Sequence, residues 1–123
     1  MTIRVSWREL ELDEAGTYNE SFIAGLRKLF KAKEPEGGPL SLELRLDAET
    51  APPWLQDRIG GFPGDRGLQD RYEEAAAHCR RRLKHFKTLA WTVSSSWTGP
   101  EIEAFTRRLT ERLKASDDGK PAP

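Results

Sequence analysis

Leu40, Leu42, Leu44 and Leu46 alternate with Ser41, Glu43 and Arg45. A period of two puts the leucines on one face of a β-strand and the polar residues on the other. Such a strand belongs to a sheet with one buried face and one polar face. Two further stretches read the same way. Ile3, Val5 and Trp7 alternate with Arg4 and Ser6, and Leu89, Trp91 and Val93 alternate with Ala90, Thr92 and Ser94. In the first of these the parity slips, because Leu10 and Leu12 fall on even positions. A bulge near Arg8-Glu9, or the end of the strand there, would absorb the slip, and the strand is placed at roughly 2–12.

Between the strands the period changes to that of a helix. Tyr18, Phe22, Ile23, Leu26, Leu29 and Phe30 form one apolar face. Ahead of them, Thr17-Tyr18-Asn19-Glu20 has the spacing of a capping box. Arg27, Lys28, Lys31 and Lys33 load the last turns with positive charge, which suits the negative end of a helix dipole. Pro35, Gly37, Gly38 and Pro39 then end the element. Residues 47–67 are less regular. Pro52 and Pro53 predict a short helix through Ile59, and the glycines that follow predict a long loop, of the kind used as lids, binding loops or links.

A long helix is predicted from Leu68 to Phe86, with Leu68, Tyr72, Ala75, Ala76, Cys79, Leu83 and Phe86 on its inner stripe. Thr98-Gly99-Pro100-Glu101 is a second capping box, and Ile102, Phe105, Leu109 and Leu113 face inward from a last helix. Residues 1–114 thus read as one domain, and Ala115 to Pro123 as a polar, disordered tail. Strands that alternate with helices predict an α+β two-layer sandwich: a three-stranded, partly parallel sheet with three main helices on one face. Two open edges and a bare face predict a homodimer that extends or covers the sheet.

Charge narrows the choice of partner. The 123 residues carry 20 Lys and Arg against 20 Asp and Glu, a formal net charge of zero. That excludes a whole-chain electrostatic affinity for nucleic acid or anionic membrane, and leaves only local patches. No stretch approaches the roughly 20 apolar residues of a membrane span, and the first residues lack the apolar run of a signal peptide. The expectation is a cytoplasmic protein without membrane contact. Cys79 is the one cysteine, so no intramolecular disulfide forms.

Candidate chemistry is sparse. His78 and His85 stand two turns apart, too far for one metal ion. Glu74, His78 and Arg82 are spaced as a surface ion-pair ladder along one helix. Ser94-Ser95-Ser96 lacks the G-x-S-x-G setting of a nucleophile. Gly61-Phe62-Pro63-Gly64 has the spacing of loops that clamp nucleotide backbone, but with Phe and Pro where basic or small residues would serve. No phosphate-binding Gly-Lys-Ser/Thr motif occurs. Catalytic residues, metal ligands and cofactors are therefore not expected.

Contact residues remain. Trp54, beside two prolines, Phe62 in the glycine loop and Trp97, just before a helix cap, are candidates for an exposed partner surface. Arg80, Lys84 and Lys87 fall on one flank of the long helix and are candidates for phosphate or nucleic-acid binding. The sequence thus points to a small non-catalytic protein that works by macromolecular contact as a homodimer; it leaves the partner's class open, and zero net charge favours another protein over nucleic acid. The alternative is an RNA- or DNA-binding module that uses the basic flank and the glycine loop.

Overall fold

The leucine row seeds the core. In the computed structural model, which describes residues 1–14, 16–86 and 89–115, Ser41–Leu46 forms the central strand of a three-stranded sheet. We number elements in chain order: β1 (Thr2–Ser6), α1 (Trp7–Leu10), α2 (Glu20–Lys33), β2 (Ser41–Leu46), α3 (Arg66–Arg82), β3 (Ala90–Ser95) and α4 (Pro100–Ala115). Short 3₁₀ turns at Glu34–Glu36, Ala48–Thr50, Pro53–Leu55 and Ile59–Gly64 lie between them. The strand order is β1-β2-β3 and both pairings are parallel, with Val5 opposite Leu44 and Leu44 opposite Val93.

Parallel strands in chain order, joined by crossovers of one hand, place both crossover helices on the same face. That face is the leucine face. Leu42 and Leu44 are fully buried, and share one hydrophobic core with Ile23, Leu26 and Phe30 of α2, Leu68 and Tyr72 of α3, and Phe105 and Leu109 of α4. The fold is the predicted two-layer α+β sandwich, and its sheet is parallel throughout. The opposite face is a closed polar layer. Arg4 and Arg45 each lie 3.7 Å from the Glu43 carboxylate, Arg45 also reaches Asp47 at 3.1 Å, and the Ser94 hydroxyl donates to Glu43 at 3.0 Å. Charges half in water and paired in a network keep the bare face from needing an apolar cover.

Four boundaries depart from the sequence expectation. The first strand stops at Ser6 instead of running to residue 12, because Trp7–Leu10 turns into a helix. The backbone N–H and hydroxyl of Ser6 both donate to the Glu9 carboxylate, so the parity slip is a helical turn. The second helix is capped by Asn19, whose Oδ1 accepts from the Phe22 N–H at 3.1 Å, and not by Thr17. The long helix spans Arg66–Arg82, not 68–86: Asp65 caps its start, and at Leu83 the backbone N–H is shared between the carbonyls of Cys79 and Arg80. Such tightening is how a helix ends without a glycine. The last helix opens on Pro100, one residue later than the Thr98 box implies, with Gly99 at φ 118° before it and the Gly99 carbonyl accepting from the Glu103 N–H. Ala115 belongs to this helix, and the tail expected beyond it lies, from residue 116, outside the described residues.

Leu44 has the leucine row's typical surroundings, with helices above and strands on both sides. Leu44→Ala is expected to cost about 2–5 kcal/mol through lost burial and the cavity left behind, measured as a shift in the urea unfolding midpoint. Thr92→Ala, on the exposed side of β3, is the control and is expected to change stability by about 0.5 kcal/mol or less.

Candidate functional site

Several charged side chains hold helices together. Glu20, at the start of α2, takes a hydrogen bond with the His78 imidazole at 2.8 Å and lies 3.3 Å from Arg82 Nε, both on α3. These contacts hold the Glu20 carboxyl below the usual range, against a desolvation that would raise it. Glu73 and Glu74 of α3 pair with Arg112 of α4 at 3.2 and 3.3 Å. The ladder read along α3 is therefore not one: Glu74, His78 and Arg82 reach to two other helices.

Arg80 is also committed. It is 2 % exposed, its Nε donates to the Leu113 carbonyl at 3.0 Å, and its guanidinium sits 5.7 Å from the Trp91 ring centre. It thus ties α3 to the carbonyl end of α4, where a cation is favoured by the dipole. Burial lowers its pKa, but an arginine starts so high that it stays charged. Of the predicted row Arg80–Lys84–Lys87, the two described members do not share a face. Arg80 faces inward, Lys84 is exposed beyond the end of α3, and Lys87 lies outside the described residues.

Trp7, Trp54 and Trp97 join Phe62 of the glycine loop in an aromatic cluster. Trp7, fully buried, meets Trp54, Phe62 and Tyr72 edge-on with ring centres 6.4, 5.9 and 5.1 Å apart. Phe62 is fully buried, stacked on Trp97 at 5.5 Å and 4°, and edge-on to Phe105. This takes Phe62 out of reach of any partner in this structure. Trp54 and Trp97 are half-buried; the Trp54 indole donates to the Glu11 carbonyl, and the Arg71 guanidinium lies 6.0 Å from its ring centre. Within residues 47–67 three packed 3₁₀ turns lead into the start of α3 at Arg66, with Leu55, Ile59 and Phe62 in the core. Beneath the cluster is a residue that the sequence reading missed. Glu11, 1 % exposed, accepts from the Trp7 indole at 2.7 Å and from the Gly16 N–H at 2.6 Å. Only its odd place at the end of an apolar stretch could have signalled it.

Other cations make no ion pair. Among the described residues these are Arg8, Arg71, Arg81, Arg107 and Lys114, together with Arg27, Lys28, Lys31 and Lys84. Arg27, Lys28 and Lys31 line one concavity. The chain leaving α3 runs past the last turns of α2, and the space between them, about 380 Å³, is bounded by Arg27, Lys28, Lys31, Glu34, His85 and Phe86. Phe86 is 8 % exposed and packs on Phe30, with ring centres 5.9 Å apart, so it forms an apolar floor under basic walls. The cations on α2 were visible in the sequence, but were read only as dipole partners.

Among the described residues no three His, Cys, Asp or Glu side chains converge to hold a metal ion, and no helix is long and apolar enough to cross a membrane. No protein family matches the sequence, and no curated protein or solved structure does either.

Cys79 is fully buried on the α3 stripe, and desolvation pushes its thiol up to about 12. Only the thiolate reacts. Cys79 is expected to stay unmodified by Ellman's reagent in the native protein at mildly alkaline pH, and to react in denaturant. Rapid labelling of the native protein would contradict its placement.

Proposed function

We propose that this chain is a non-catalytic protein that acts as a homodimer and binds an acidic segment of a partner protein in the cleft between α2 and the chain leaving α3. The observation that supports this reading is the set of unpaired cations Arg27, Lys28 and Lys31 around the Phe86 floor. Cations without internal partners add nothing to helix docking, and like charges crowded on two turns repel one another. A segment carrying Asp or Glu relieves that repulsion. An apolar side chain from the same segment covers Phe86.

Three features favour a protein over nucleic acid. The net charge is zero, so there is no broad field to gather a phosphate backbone. Glu34 lies in the cleft wall, with Glu36 two residues on, and a carboxylate there repels phosphate. Among the cleft's lining residues Phe86 is buried and His85 is the one ring that is exposed, so the cleft lacks the series of aromatic faces on which successive bases stack. Trp54 and Trp97 are not part of this cleft and stay with the aromatic cluster.

The test uses fluorescence anisotropy with two labelled probes: a peptide of alternating Glu and Leu, and a single-stranded oligothymidine. The peptide is expected to bind at low salt and to weaken as salt rises. Lys28→Glu together with Lys31→Glu, both at exposed positions, is expected to weaken it about tenfold or more. Binding of neither probe at low salt, or peptide binding indifferent to the double reversal, would overturn the reading. Tighter binding of the oligonucleotide, lost in the same variant, would replace it with the nucleic-acid alternative.

A further inference from the structure

The open edge of the sheet adjoins a helix face whose charges also lack partners. β3 is hydrogen-bonded to β2 alone, so every second N–H and C=O along its other edge has no strand partner. Beside that edge runs a shallow groove of about 560 Å³, with Val93 on the strand side and the outer face of α4 on the other. On α4, Glu103, Arg107, Glu111 and Lys114 are exposed and belong to this groove, and among the described residues none of the four makes an ion pair. Between them lie Thr106 and Thr110, half-buried, whose hydroxyls donate to the helix carbonyls of Glu103 and Thr106. Those hydroxyls need no acceptor from across the groove.

The order of the charges selects the occupant. Along α4 the signs run negative, positive, negative, positive. Read backwards, the same face runs positive, negative, positive, negative. A helix with this pattern is complementary to an antiparallel copy of itself. A twofold axis near the middle of α4 sets Glu103 opposite Lys114 of the second copy and Arg107 opposite Glu111, each pair occurring twice. It also brings Thr106 opposite Thr110, small enough for two helices to approach closely. The same axis lays the free edge of β3 antiparallel to its copy and joins two three-stranded sheets into one of six strands. Isologous contact of this kind is the usual geometry of a two-subunit protein.

We infer that the β3 edge and the Glu103–Arg107–Glu111–Lys114 face of α4 form the surface through which two copies of this chain associate. This assignment rests on the homodimer part of the functional reading above, and says where that dimer forms. It does not depend on the acidic-segment cleft, which uses other residues.

Sedimentation velocity of the full chain over a range of micromolar concentrations tests it. Wild type is expected at twice the 14.0 kDa of one chain. Arg107→Glu alone sets Glu against Glu111 of the other copy. Glu111→Arg alone sets Arg107 against Arg. Each single variant is expected to weaken dimerisation at least about tenfold, with an unchanged circular dichroism spectrum showing that it folds. An equimolar mixture of the two variants restores opposite charges at both sites and is expected to recover the dimer; so is the double variant in one chain. A wild-type dimer indifferent to both reversals would overturn this surface and leave the homodimer standing. Single variants weakened without recovery in the mixture would also overturn the surface, since pairing across a twofold requires recovery. A 14 kDa wild type at every concentration would overturn the surface and the homodimer together.

Discussion

Everything in this molecule depends on one strand having only one apolar side. The leucines of β2 must be covered, and its Ser41, Glu43 and Arg45 must not be. With its neighbours parallel and in chain order, the connecting helices can satisfy both demands only by lying together on the leucine face. Burying the three leucines of β2, and Leu40 just before the strand, at about 1.5–3 kcal/mol each is a large driving force for a chain of this size. The ion network on the other face contributes much less, since half-exposed pairs are each worth about 1 kcal/mol or less. The apolar row therefore dictates the architecture, and the charges adapt to it.

That arrangement gives the cations of α2 and α3, and Arg112 of α4, different fates. Arg82 and Arg112 reach across to acids on neighbouring helices and join α2, α3 and α4. Arg80 points inward to the end of α4. Arg27, Lys28 and Lys31 sit where α2 continues past the end of α3, so no acidic helix face lies opposite them. The basic cleft is a consequence of the offset between two helices on one face. Likewise the β3 edge and the outer side of α4 are what a sheet of only three strands leaves uncovered.

Much of this was legible because periodicity reports burial directly. The leucine alternation, the α4 stripe, the Ile23, Leu26 and Phe30 positions of the α2 stripe and the position of Cys79 follow from side-chain spacing alone, whereas Leu29, placed on the same face by its spacing, is exposed. The misses have a common physical origin. Ser6 and Glu9 are polar, and the two hydrogen bonds that Ser6 donates to the Glu9 carboxylate convert a strand parity into a helical turn without any change in the apolar pattern. The end of α3 falls between two inward-facing residues, Cys79 and Leu83, so the stripe runs on past the true boundary. Phe62 lies among glycines and prolines and reads as exposed loop, yet the turns around it fold back onto Trp7. Arg80 lies on the flank of its stripe, and only the approach of α4, distant in the chain, decides that this flank is buried. Long-range contacts of that kind leave no local signature.

The central claim is that α2 and α3 share the leucine face, with the chain leaving α3 passing the last turns of α2. Nuclear Overhauser effects between the ring protons of Phe30 and Phe86 measure this directly. With ring centres 5.9 Å apart, strong cross-peaks between the two rings are the predicted result. A fully assigned spectrum in which Phe86 shows contacts to other residues but none to Phe30 would contradict the placement of the helices, and with it the cleft.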